Sequence, residues 1–408
     1  MTTAHATNTV SYGTNDDFER FRAGFPGLKK KIHTSINDKM ILHSAVRAAV
    51  DLYMDRLEDA SATRVEHEEF VTSSKEKFAR LMNVETSTVA SVRNVSDGVN
   101  SIAWAMPFKA GDNVVVGTDA EHPNNIYPWL RQQERGVEVR GIPSRADGAI
   151  DTDAMLAAID NRTRVMAVAS VTFAPGHRAD LARLGAECRK RDVFLLVDGV
   201  QSAGIMHHDF EAEQIDAFTT STSKGLLGLY GYGFLYVSPK WLDRLTPAYL
   251  SRPAVKMGAD DHSTMGQFDY EWQPDCRRFE VGSFNLAGAY AADAALGLLL
   301  GLGSKRIERR VLDLSTKLNE GLRGLGLHVA VPSSGPEQSH VVTVGEVNAG
   351  GHGFSTDPKI EPISKHLIEN KVAHTIRRGQ LRFGLHAYND ENDVEAVVEH
   401  TRDALSRL

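Results

Sequence analysis

The chain has 408 residues, 42% hydrophobic and 24% charged, a globular balance that excludes disordered, collagen-like and coiled-coil classes. Its formal net charge of −7 offers no basic field to hold nucleic acid or an anionic membrane surface. The only two cysteines, Cys188 and Cys276, cannot build a disulfide scaffold or a four-cysteine zinc site, and they fit a reducing compartment.

Residues 1–17 are polar, read as a flexible tail, and lack the basic-then-apolar order of a signal peptide. The expected location is therefore cytoplasmic. The ending Ser406-Arg407-Leu408, one substitution from the peroxisomal Ser-Lys-Leu address, is the alternative. Within residues 18–60, Ile41, Leu42, Ala45, Val46, Ala49, Val50 and Tyr53 recur at helical spacing, and a second helix is predicted over residues 66–82. Apolar runs at 114–116, 165–171, 194–197, 217–220 and 233–237 then alternate with helical stretches, among them an amphipathic one at 181–191. Most of these runs are continuous, as in strands buried on both faces, so the rhythm predicts an α/β fold with a mostly parallel sheet. The most apolar stretch, residues 286–303, carries one charge, Asp293, and reads as a buried core helix. A charged helix at 305–322, short strands at 341–344 and 381–383 and a last helix at 392–405 follow, with a loop at 332–336. The expected division is a large domain over residues 18–285 and a smaller α+β domain over 286–408.

Several motifs are absent: there is no phosphate-binding G-x-x-x-x-G-K-[ST], no H-E-x-x-H and no G-x-G-x-x-G between a strand and a helix. His207, His208 and Asp209 are adjacent and point in different directions on an extended chain, so a surface turn is the reading rather than a metal site. The chemistry lies elsewhere. The run from Val193 to Val197 ends abruptly in Asp198, a carboxylate where α/β folds bind ligands; the bland reading is a helix cap. Lys224 follows another apolar run, among Ser221, Thr222, Ser223 and Gly225. In so cramped a turn it is a candidate Schiff-base lysine; the bland reading is a solvated loop lysine. Together the pair suggests pyridoxal 5′-phosphate (PLP), which needs a lysine for its aldehyde and an acid for its pyridine nitrogen. Residues 93–100 add small polar groups before a helix, where backbone N–H groups can hold a phosphate.

On these segments, and on those around His122, Ser283 and Arg382, the chain resembles the class V aminotransferases. That family belongs to the fold-type I PLP enzymes and includes cysteine desulfurases, selenocysteine lyases and isopenicillin N epimerase. The resemblance runs from Phe25 to Asn389. It implies a mostly parallel seven-stranded sheet, a PLP cofactor, an amino-acid substrate and a homodimer with shared active sites. It also implies roles. Lys224 would carry the cofactor and then the proton, Asp198 would face the ring nitrogen, and His122 would stack on the ring. Gln201 would contact the phenolic oxygen, and Thr172 stands where relatives carry Asn or Gln facing the cofactor. Ser96, Asp97, Ser221 and Ser223 would line the phosphate site, with Ser283 reaching the other subunit's cofactor. Arg382, with Asn37, would hold the substrate, its fork suited to a carboxylate.

Departures from the pattern set the reaction. Ser223 stands where many relatives have His, Thr172 is shorter than Asn or Gln, and no cysteine follows Cys276. A desulfurase needs a cysteine on a loop of its small domain, so the order of expectation is an aminotransferase, then a β-eliminating C–S lyase, then an epimerase. A binding protein without turnover comes last.

Overall fold

The computed structural model describes residues 16–256 and 270–408. The chain starts with α1 (Asp16–Ala23), strand β1 (Ile32–His33), α2 (Ser44–Glu58) and α3 (Arg64–Met82). Most of the expected tail lies outside the described residues, but Asp17 does not belong to it. It is buried in α1, 2.5 Å from Arg20 and 3.2 Å from Arg306. The helix expected around residues 41–53 is α2, which begins at Ser44 rather than Ile41, because the His43 side chain accepts the Ala45 N–H at 3.0 Å and caps it. A capping box opens α3, with Thr63 Oγ1 and the Glu66 carboxylate each accepting the other's N–H, and Asn83 ends it at φ 55°.

Seven strands then form one sheet: β2 (Val89–Val92), β3 (Asn113–Gly117), β4 (Glu138–Ile142), β5 (Thr163–Ala169), β6 (Phe194–Asp198), β7 (Ala217–Ser221) and β8 (Gly233–Val237). Their order is β2-β8-β7-β6-β5-β3-β4, with β8 antiparallel to both its neighbours and the rest of the pairings parallel. This is the expected α/β sheet. Two strands escaped the apolar-run reading: β2 is only four residues long, and β4 is an edge strand with exposed positions. Helices α4 (Val95–Ala105), α5 (Tyr127–Leu130), α6 (Thr152–Ala157) and α7 (Leu181–Lys190) lie between them, and α8 (Pro239–Leu242) follows β8.

The apolar stretch forms α9 (Leu286–Leu302), buried against α2 and α3. Tyr290 stacks on Phe70 with ring centroids 3.6 Å apart, and the single charge, Asp293, is held by Lys77 at 2.7 Å. No single helix among the described residues is long and apolar enough to cross a membrane. Gly303, at φ 84°, turns the chain by 78° into α10 (Ser304–Gly324). Then come β9 (Val341–Val344), α11 (Ile360–Glu369), β10 (Val372–Ala373), β11 (Thr375–Arg377), β12 (Gln380–Gly384) and α12 (Glu391–Leu405). Strands β11-β12-β9 make a small antiparallel sheet. The N-terminal segment joins this end of the chain: β1 pairs in parallel with β10, and Ser35 bridges Gly384.

Candidate active site

The carboxyl ends of the parallel strands open into a cavity of about 270 Å³. His122 enters it from the loop after β3, Phe173 from the loop after β5, Asp198 from the last position of β6, and Ser221, Ser223 and Lys224 from the end of β7. Ser96 enters from the first turn of α4. Gln201 completes the lining among the residues the sequence singled out. The turn that aims Lys224 is tight. A Cβ on Gly225 would lie 2.4 Å from the Ala203 carbonyl oxygen, so only glycine fits after the lysine.

Burial sets the electrostatics. The Lys224 amine is pulled down to about 8 by desolvation, and the nearby Arg382 charge adds to that shift. No hydrogen-bonding partner holds its Nζ among the described residues. The Asp198 carboxyl, 3% exposed, is pushed up to about 6 by burial, against the stabilising Val200 N–H and the Lys224 charge. Its Oδ1 accepts that N–H at 2.9 Å, and Oδ2 has no protein partner among the described residues. His122 is held below the usual imidazole range by burial, then by the Lys224, His352 and Arg382 charges, so its ring is neutral. Its Nδ1 accepts the Asn124 N–H at 3.2 Å, and Phe173 packs edge-on at 5.5 Å. Gln201 donates from Nε2 to the Asn37 carbonyl at 3.3 Å, while its Oε1 is buried without a partner. At the head of α4, the Asn94 side chain accepts the Asp97 N–H and Ser221 Oγ accepts the Val95 N–H, both at 3.0 Å. The Ser96 N–H between them has no protein acceptor among the described residues, which leaves a donor at a helix N-terminus.

Arg382 lies beside the cavity rather than in its lining. Its Nη1 donates to the carbonyl of Phe173, a lining residue, and its Nε to Thr375 Oγ1 at 3.2 Å. Nη2 has no partner and no carboxylate is paired with this buried arginine among the described residues. Desolvation first, and Arg377 second, pull it down to about 9, so it remains a cation in neutral solution. Asn37 is buried with both amide atoms unpartnered.

Three of the expected residues lie outside the cavity lining. Thr172 does not face the cavity: its hydroxyl accepts the Gly176 N–H at 3.0 Å and closes its own loop. The Asp97 carboxylate is engaged by the Arg93 N–H at 3.0 Å and the Arg93 guanidinium at 2.9 Å. Ser283, at φ 62°, lies in a neighbouring groove with Arg93, Asp97, Tyr249 and Val281, and so is not part of its own chain's cavity. One residue was missed. Glu121 is buried behind His122, accepts the Ala169 N–H at 2.7 Å and the Asn125 amide at 2.9 Å, and is raised to about 7 by burial. Its place directly before His122 was the only available signal.

An amine without a partner, a buried acid with an open oxygen, a neutral imidazole, an orphaned amide oxygen and a free helix N-terminus together fit one group, PLP. They define the chemistry of a fold-type I PLP enzyme. The model of the aminotransferase class-V family matches residues 39–397, and the chain belongs to that family. Among curated proteins it is 27% identical to a probable cysteine desulfurase of Methanothermobacter thermautotrophicus, over 80% of this chain and 81% of that one. It is 26% identical to the uncharacterized aminotransferase YcbU of Bacillus subtilis, over 93% and 96%. Among solved structures it matches a cysteine desulfurase of Thermococcus onnurineus with a TM-score of 0.82 at 21% identity, over 98% of this chain and all of that one. The cystine C-S lyase C-DES matches with a TM-score of 0.80 at 22% identity, over 93% and 99%. The protein is a PLP-dependent enzyme that acts on amino acids.

Proposed function

We propose that the protein is an aminotransferase that moves the amine of an α-amino acid to a 2-oxo acid. Bound PLP supplies an electron sink for the negative charge left when the substrate α-proton departs. Arg382 Nη2, buried and unpartnered, receives the substrate carboxylate, and so fixes which bond at the α-carbon faces Lys224. Lys224 Nζ takes that proton and returns it. Asp198 Oδ2 would hold the proton of the ring nitrogen, and the His122 ring would offer a flat wall for the cofactor ring. The Ser96 N–H and the hydroxyl of Ser223 would hold the phosphate.

The observation that carries this reading is the freedom of Lys224 Nζ. An amine lowered to about 8 and tied to no other side chain is a base that can deliver its proton to a second atom. A second reading, C–S cleavage by β-elimination, rests on the desulfurase and C-S lyase relatives together with the state of the thiols. Cys188 and Cys276 are both fully buried, and burial raises Cys188 to about 12 and Cys276 further still. Neither is a thiolate that attacks sulfur. The test is product analysis over a panel of amino acids, with and without a 2-oxo acid. Amine transfer that requires the 2-oxo acid is expected, unchanged in Cys188→Ser and Cys276→Ser. Sulfide or ammonia with pyruvate, released without a 2-oxo acid, makes the second reading the correct one. Persulfide on either cysteine overturns both.

The Ser283 groove and the exposed Tyr230, Tyr249, Leu250 and Val281 support a homodimer in which Ser283 meets the partner's cofactor. Light scattering is expected to give twice the 44.7 kDa chain mass. A monomer with full activity removes the shared-site reading.

A further inference from the structure

At the far side of the small sheet, helices α11 and α12 pack against each other. His366 stands on the first, and His400 and Asp403 on the second, three positions apart and therefore on one helix face. One ligand atom from each of the three lies within 4.8 Å of the other two. The His366 and His400 rings meet edge-on at 6.1 Å. His366 is buried, and its ring is held by the Asn370 amide at 3.2 Å from Nε2. The His400 side chain and the Asp403 carboxylate have no hydrogen-bonding or ionic partner among the described residues. None of the three lines the cavity at the sheet. The cluster is thus two imidazoles and a carboxylate brought together by a helix pair, and of the three only the His366 ring is hydrogen-bonded elsewhere among the described residues, at Nε2 by Asn370, which leaves its Nδ1 as the ligand atom.

We propose that His366, His400 and Asp403 form a binding site for a borderline divalent cation, Zn²⁺ above all, which clamps α11 to α12. Two nitrogens and one oxygen are the donors that Zn²⁺ takes, whereas Mg²⁺ and Ca²⁺ demand oxygen alone. At zinc bond lengths, tetrahedral ligand atoms lie about 3.4 Å apart. Turning His400 and Asp403, which no hydrogen bond or ion pair holds among the described residues, would bring the ligand atoms from within 4.8 Å toward that value. Asp403 is exposed, so water completes the fourth position and the ion enters from solvent. The buried His366 gives the site a fixed point, and the ion would tie the last helix of the chain to the preceding layer.

The test uses untagged holoenzyme stripped with a chelator, and Zn²⁺ alone as the probe. Calorimetry is expected to find one tight Zn²⁺ per chain, and Zn²⁺ to raise the melting temperature. Asp403→Asn, at an exposed position, and His400→Ala, at a half-buried position held by no hydrogen bond or ion pair among the described residues, should fold as the wild type does. Each is expected to weaken Zn²⁺ binding at least about tenfold and to abolish the thermal shift, while leaving turnover unchanged. No uptake by the wild type, or uptake with the same affinity in both variants, overturns the site.

Discussion

Lys224→Ala is expected to lose covalent attachment of PLP and nearly all turnover. After borohydride reduction of the wild type, peptide mapping should recover the pyridoxyl group on Lys224 and on no other lysine. The alanine protein should show no such adduct. Lys224 is the one amine in the lining of the cavity among the described residues, and general-base catalysis is worth about 10² to 10⁴-fold, so a fall of roughly 10³-fold or more follows. The fold should survive. Nζ makes no hydrogen bond among the described residues, and burial penalises its charge, so alanine removes a desolvated cation rather than a support. Exogenous alkylamine should restore part of the rate, because the cavity left by the side chain admits a small base. A pyridoxyl group on another lysine, or a rate near that of the wild type, refutes the assignment.

The elements that carry this lysine were legible because they are local. Continuous apolar runs marked β5, β6 and β7, and the abrupt polar residue after each run marked the cavity rim: Asp198 after the run to Val197, Lys224 after the run to Thr220. Residues that act through distant partners were not legible. Nothing near Arg382 in the chain shows that its guanidinium meets the Phe173 carbonyl, more than 200 positions away. Residue type alone could not show that Asp97 is consumed by Arg93 or Thr172 by Gly176, since both compete locally for donors that the sequence does not display. The pairing of β1 with β10 escaped for a related reason: two-residue strands have no period to read. Glu121 was hidden by its charge, because a glutamate reads as surface until the Ala169 N–H and the Asn125 amide are seen to enclose it.

Asp198→Asn separates the acid's electrostatic part from its place in the fold, and two measurements follow it. The amide keeps an oxygen for the Val200 N–H, so the strand end and the cavity shape should persist and PLP should still bind. What is lost is a negative charge facing the ring nitrogen, and with it the protonated ring that accepts electrons from the α-carbon. Removing one such charge from a water-excluded site costs several kcal/mol of transition-state stabilisation, so α-proton exchange with solvent should fall by about 100-fold or more. The second measurement is stability against pH in the cofactor-free protein. Asp198 titrates near 3.8 in the unfolded chain and near 6 in the fold, so between those values the folded state binds the extra proton. Stability therefore falls as pH rises through that window, by about 3 kcal/mol for this group in full, and stays lower above it. The asparagine protein lacks this loss. Its melting temperature should match the wild type below the lower value and exceed it above the upper one, with the difference shrinking once PLP supplies a cationic partner. Normal proton exchange in Asp198→Asn refutes the electrostatic role. A melting-temperature difference that does not change with pH refutes the burial of an uncompensated acid at the end of β6.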